Sequence, residues 1–413
     1  MVPEIIPEII AFIVFIMTYA AIALGYIPGL ALDRTGIALI GAIAMVTFGV
    51  LSTEEAFRAI DASTILLLYA LMVISAQLRL GGFYTKVAFG ITHFLKKPKL
   101  FLLLVMLTSA LLSAVLANDV VCLAFTPILC FSLIKASLNP VPFLIGLACA
   151  SNIGSAATII GNPQNMLIGQ TAQLDFGKFF LWCGPPSLAA LVASYLIIIL
   201  VYRGKWPVEG LVLTERRKEW PDYNGHQSWK GIILIVLLIG LFFTPIPREL
   251  SAITVAGLLL CSRRTATRSI LGLVDWHLIM LFCGLFIVIA GLVKYGIPQN
   301  FVSVLASSGM NINNGFTLSF IAVALSNIVS NVPAVMLLLA NIDMGMTTNL
   351  YILALASTFA GNLFIIGSIA NLITIEQARA YNIHIGFREH ARVGIPVTVV
   401  SLALTMVWTI LER

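Results

Sequence analysis

Residues 113–128 read Ser-Ala-Val-Leu-Ala-Asn-Asp-Val-Val-Cys-Leu-Ala-Phe-Thr-Pro-Ile, with Asn118-Asp119 in the middle of an apolar run from Leu100 to Leu138. A charged, amide-bearing break there is costly if lipid surrounds it, so the run is expected to turn back on itself where protein or water covers the turn. We read 100–135 as a re-entrant hairpin. The same grammar recurs three times. Residues 142–173 are interrupted by Gly161-Asn162-Pro163, residues 316–341 by Ser330-Asn331-Val332-Pro333, and residues 350–380 by Gly367-Ser368-Ile369-Ala370-Asn371. The second and fourth are expected to be helices broken in two, the third another hairpin.

Composition supports a membrane setting. Of 413 residues 60% are hydrophobic and only 10% charged, with a mean hydropathy of +1.02; a soluble domain carries roughly a quarter charged residues. Uninterrupted apolar runs predict spans near 9–28, 35–52, 63–80, 180–202, 230–245, 250–262, 272–293 and 393–411. Six Cys, mostly in apolar runs, read as core residues rather than a disulfide framework. The five His lack ligand spacing, no metal site is expected, and no nucleotide loop or Ser/His/Asp constellation is present. An enzyme, a cofactor and a nucleic-acid partner are therefore not expected.

If both hairpins turn back, one face gathers Arg79, Lys86, Lys96, Lys97, Lys99, Lys135, Arg263, Arg264 and Arg268, and the other is slightly acidic. The positive-inside rule then makes the basic face cytoplasmic, with the linker 203–229 inside and both termini outside. Asp119 alone falls within the membrane interior, and no Lys or Arg lies in an interior span to pair with it. Segment 79–99 reads as a basic amphipathic helix at the surface, either a connecting arm or a lipid anchor.

The two halves match. Asp61 aligns with Asp275, each reading as a helix N-cap, and Gly82 with Gly296. Ser113 and Asn118 fall over Ser326 and Asn331, and Gly161–Asn165 over Gly367–Asn371. The halves, 1–202 and 230–413, enter the membrane from opposite sides. The expected fold is thus an all-α polytopic membrane protein of two inverted repeats, each with a re-entrant hairpin and a broken helix. Paired breaks in such repeats mark the binding site of secondary transporters. The candidate lining is Asn118, Gly161, Asn162, Asn165, Ser330, Asn331, Gly367, Ser368 and Asn371, with Ser113, Cys122, Thr126, Asn152, Thr158, Ser326, Asn327, Ser357 and Asn362 nearby. Asp119 is the candidate proton carrier, because an acid at membrane depth belongs to an ion or proton pathway by default.

The run Leu116-Ala-Asn-Asp-Val-Val-Cys-Leu-Ala-Phe-Thr-Pro-Ile128 resembles the Ala-Asn-Asp…Thr-Pro signature of the arsenite efflux permeases. Ser326–Pro333 and Gly161–Asn165 are similar to the hairpin and broken-helix motifs of the wider ion transporter superfamily, which includes sodium/proton antiporters and sodium-coupled dicarboxylate and citrate carriers. The resemblance implies a central site in which Asn118 and Asp119 meet Gly161–Asn165 while Asn331 meets Gly367–Asn371. It also implies a transport body moving against a scaffold, a homodimer, a soluble ATPase partner in some relatives, and a bacterial or archaeal cytoplasmic membrane. On this reading the chain exports arsenite or antimonite by exchange for protons, with Asp119 as proton carrier. The alternatives are sodium/proton exchange, sodium- or proton-coupled anion transport, and a passive channel.

Overall fold

The computed structural model describes residues 2–24, 29–207, 222–261, 266–298 and 311–412, with side chains from Ile6 onward. These residues are helical throughout apart from turns and one isolated bridge between Leu138 and Pro207. Seven of the helices are long and apolar enough to cross a membrane, and four shorter ones are apolar. Outside the interrupted stretches, helix boundaries follow the apolar runs: Val2–Leu24, Arg34–Thr47, Ala62–Leu80, Phe176–Val201, Arg248–Leu260, Trp276–Lys294 and Phe387–Leu411. The helix Gly225–Leu241 starts within the segment read as linker, capped by Asn224; residues 208–221 of that linker lie outside the described residues.

Each half contains an antiparallel helix pair followed by a broken helix. In the first, Pro98–Val115 and Asn118–Lys135 form the pair, and Val141–Ala156 and Pro163–Thr171 the broken helix. Direction follows from the contacts. Gly146 packs on Leu102 and Gly154 on Ala110, so the broken helix runs parallel to the first arm of the pair. Ser151 bonds to Asn118, so it runs antiparallel to the second arm, and the two arms must reverse at Leu116-Ala117. A methyl on Gly154 would lie 2.2 Å from the Ala110 carbonyl oxygen, so only a glycine permits this approach. The second half repeats the plan with Gly315–Val329 and Asn331–Leu339, then Thr347–Ala360 and Ile369–Arg379. There Asn349 bonds to Asn313 at one end and Asn327 to Ala360 near the break.

The two copies are inverted. Helix Val141–Ala156 starts beside Trp206, where Asn139 donates from its backbone N–H to the Trp206 carbonyl and from its side-chain amide to the Lys205 carbonyl. Thr347–Ala360 starts at the other end, where Tyr351 packs its ring against Phe179 and Trp182. Further contacts sort by face: Lys294 with Glu55, Ser63 with Glu249, and Arg248 with Leu174 on one, Tyr202 with Glu389 on the other. Asp61 and Asp275 cap matching helices by accepting from Thr64 and Leu278, and both Gly82 (φ 69°) and Gly296 (φ 66°) take the left-handed conformation after those helices end.

Packing divides the chain into two bodies. Helices within 2–80 and 225–294 pack on one another, as do the hairpins, the broken helices and the long helices Phe176–Val201 and Phe387–Leu411. We call the first the scaffold and the second the core. The basic segment at 79–99 forms the short helix Phe83–Ile91 between them, with Tyr84 buried and the Lys86 ammonium 3.7 Å from the Tyr223 ring centroid.

Candidate functional site

The two breaks meet in the middle of the core. Val141–Ala156 stops because Asn162, extended, caps the next helix by accepting from the Asn165 N–H, and Pro163 at the first position of that helix lacks the donor that a continuous helix needs. The carbonyls freed by the interruption are answered within it. Asn165 donates to the carbonyls of Ser155, Ala156 and Thr158, at 3.3, 3.4 and 2.9 Å, and Asn162 to Ser155. In the second half Asn371 donates to Gly361 and Phe364 at 2.7 and 3.1 Å. Asn331 does the same for the hairpin: with its amide nitrogen turned toward them it donates to the carbonyls of Gly367 and Ser357, at 3.2 Å each.

Across the halves the amides form one chain. Asn118 donates to Asn152 (3.3 Å), and Asn152 donates to Asn362 (2.9 Å) and Asn371 (3.3 Å) while its oxygen accepts from Ser368 (2.9 Å). Thr358 bonds back to Asn165 at 3.5 Å and accepts from Asn162 and Gln164. The shift that lays Asn165 on Asn371 also lays Asn152 on Thr358. The bonds Asn152 to Asn371 and Thr358 to Asn165 are therefore counterparts, the reciprocity expected of two repeats facing each other. Ser113 bonds to Ser151, Thr158 to the Ala114 carbonyl, and Cys122 lies against Ser151 and Thr374.

Part of this site remains open. Ser326 Oγ, Asn327 Oδ1 and Asn362 Nδ2 are buried without a hydrogen-bond partner among the described residues. Ser330 holds φ 80°, ψ 159°, a region that residues other than glycine enter only under strain. Asp119 follows Asn118 by one residue and faces a cavity of about 50 Å³ between core and scaffold. The core contributes Ala117–Val120, Asn162, Pro163 and Met166 to its wall, and the scaffold Leu68, Met72, Ala76, Arg79, Leu273, Asp275 and Leu278. Asp119 makes no hydrogen bond or ion pair among the described residues.

The expectation that Asp119 stands without a cation nearby is corrected: Arg79, assigned to the surface, lines the same cavity, because the last turn of Ala62–Leu80 faces the hairpin tip. Asp275 lines it too, beyond its capping role. Thr358 and Gln164 were not singled out, although the repeat alignment pairs Thr358 with Asn152. Thr126 turns its hydroxyl back to the Cys122 carbonyl of its own helix. Of the predicted residues, Asn118, Asp119 and Asn162 border the cavity. Gly161, Asn165, Ser330, Asn331, Gly367, Ser368 and Asn371 surround the closed network between the breaks instead. On Gly161 a methyl would lie 2.3 Å from the Ser155 carbonyl oxygen, so it is the bend itself that requires this glycine. Among the described residues no group of three or more His, Cys, Asp or Glu is placed to hold a metal ion.

Interrupted helices paired at a buried polar centre, in a chain with this many membrane-crossing helices, define a multi-pass secondary transporter. The chain belongs to the CitMHS family, described as citrate transporter, whose model matches residues 10–350. It is 30% identical to a 46 kDa membrane protein of Mycobacterium leprae, over 97% of this chain and 98% of that one. It is 28% identical to the silicon efflux transporter LSI3 of rice, Oryza sativa subsp. japonica, covering 97% of each, and 24% identical to the putative transporter arsB of Dictyostelium discoideum, over 95% and 89%. Its fold is similar to that of the YdaH transporter of Alcanivorax borkumensis, with a TM-score of 0.54 at 12% identity, covering 98% of both chains.

Proposed function

We propose that this chain is a proton-coupled efflux transporter for a small uncharged oxyacid of the arsenite and antimonite class, and that Asp119 carries the proton. The observation that carries the reading is the position of Asp119: an unpaired carboxyl facing a cavity at the boundary between scaffold and core, one residue from the amide chain that joins the two halves. A carboxyl so placed can exchange a proton with water in the cavity, and a neighbouring array of amides suits a neutral, polyhydroxylated solute. Relatives named for silicon efflux and as arsB point to similar cargo. The core would slide past the scaffold, elevator-like, bringing the amide chain to either face, in the cytoplasmic membrane with both termini outside; a homodimer would hold the scaffolds still. No cofactor is invoked, the gradient of protons, or of sodium in the antiporter alternative, being the driver.

A second reading, uptake of an anion with a proton or sodium ion, is favoured by Arg79 in the cavity wall and by the description of the family. Proteoliposomes enclosing a pH dye distinguish these. Imposed gradients of arsenite, silicic acid, citrate and sodium are applied in turn. Arsenite moving protons in the opposite direction, saturably, and losing that coupling in Asp119→Asn, is the expected result. Citrate or sodium alone moving protons rejects the efflux reading, and unsaturable flux without proton movement rejects a coupled carrier.

A further inference from the structure

Arg79 and Asp119 share one cavity, yet among the described residues neither side chain makes a hydrogen bond or an ion pair. A half-buried guanidinium and a carboxyl left unpaired are both unfavourable arrangements, and each is the natural partner of the other. They belong to different bodies. Arg79 is in the last turn of scaffold helix Ala62–Leu80, whereas Asp119 is in the first turn of Asn118–Lys135 in the core. Asp275, exposed and capping scaffold helix Trp276–Lys294, lines the same cavity. The buried Tyr84 hydroxyl of Phe83–Ile91, hydrogen-bonded to Ser75 at 2.7 Å, is an ionisable group close to Arg79, and the segment bearing Asp222, Tyr223 and His226 joins the same helix end where the Asn224 N–H donates to the Gly81 carbonyl. On the opposite face the bodies are tied together: Arg248 of the scaffold donates to the Gly169 and Leu174 carbonyls of the core, at 2.7 Å each, and Gln170 donates to Glu249 at 3.0 Å.

We propose that Arg79 is a fixed counter-charge that discharges Asp119 at one end of the core's travel. The inference deepens the reading of Asp119 as proton carrier and rests on it. When the core reaches the face of Arg79, the guanidinium stabilises the ionised form of Asp119. The carboxyl O–H bond then breaks, the proton passes to cavity water, and the carboxylate left behind pairs with Arg79. When the core moves away the pair separates, its attraction falls with distance, and the desolvated carboxylate takes up a proton from the other face. The scaffold thereby sets the side on which the proton leaves. Asp275, of the same sign as Asp119, works against ionisation, so the cation must outweigh it. A positioning charge of this kind acts through Asp119 without touching cargo.

The test needs no cargo. Infrared titration of the full chain in nanodiscs follows the protonated-carboxyl band that Asp119→Asn removes. In Arg79→Gln the pH at which this band is half lost should rise by about one unit or more, the effect of removing an opposite charge near a carboxyl. Arg79→Lys, which keeps the charge, should stay close to wild type. Arg79→Met provides the same comparison if the Gln variant fails to fold. A midpoint that stays in place in both neutral variants overturns the role of Arg79. If instead Asp119→Asn removes no titrating band and leaves proton coupling intact, it is the carrier reading that falls.

Discussion

Replacing Asn152 with alanine should separate the two halves at their junction. The residue is 2% exposed and makes four side-chain bonds: from Asn118 and Ser368 to its oxygen, and from its nitrogen to Asn362 and Asn371. Three of these four partners come from the other half. A net hydrogen bond is worth about 1 kcal/mol in water-soluble proteins and about 0.6 kcal/mol between membrane helices. Four therefore amount to about 2–4 kcal/mol, the upper part of that range applying because the partners left behind are buried. Ser109→Ala is the control: that side chain is equally buried but bonds only to Met106 within its own helix, so its loss should cost about 1 kcal/mol or less. The assay is unfolding of the purified chain in mixed micelles by titrated SDS, followed by tryptophan fluorescence. A loss below about 0.5 kcal/mol for Asn152→Ala, or one no larger than that of Ser109→Ala, would refute the claim that this amide joins the repeats.

Two further outcomes follow from local geometry. Ser330 occupies a backbone conformation natural only to glycine, so Ser330→Gly should raise the unfolding free energy by about 1 kcal/mol, and Ser330→Val should lower it, in the same SDS titration; a destabilised glycine variant would show that the hydroxyl outweighs the strain. The Glu55 carboxyl, in the short helix Thr53–Ala59 between spans, accepts from Lys294 and from the Ser52 N–H, which hold it at about 2 instead of its ordinary 4.5. Its folded value is the lower one, so its contribution is complete above about 4.5 and lost as pH falls toward 2. The apparent melting temperature of wild type should therefore fall more steeply between pH 5 and pH 3 than that of Lys294→Met, as thermal scans at a series of pH values will show.

The elements of this fold are set by short-range features of the chain. Pro163 and Asn162 together favour an interruption for local reasons, because one lacks an N–H and the other offers a side-chain oxygen to the next turn. Asp61 and Asp275 begin helices for the same local reason, and apolar runs fix the spans. Repetition of these signals in both halves was enough to indicate two hairpins, two broken helices and the region where they face each other. Which of the amides are spent on freed carbonyls, as Asn165 and Asn371 are, and which face open space beside Asp119, was decided by how the helices lie side by side. So was the approach of Arg79, which sits in a basic segment that reads as surface. Hydrophobic pattern and capping act over a few residues along one helix, whereas the scaffold residues that line the cavity of Asp119 lie some 40 to 160 positions away. Their placement depends on lateral contacts that no single segment encodes.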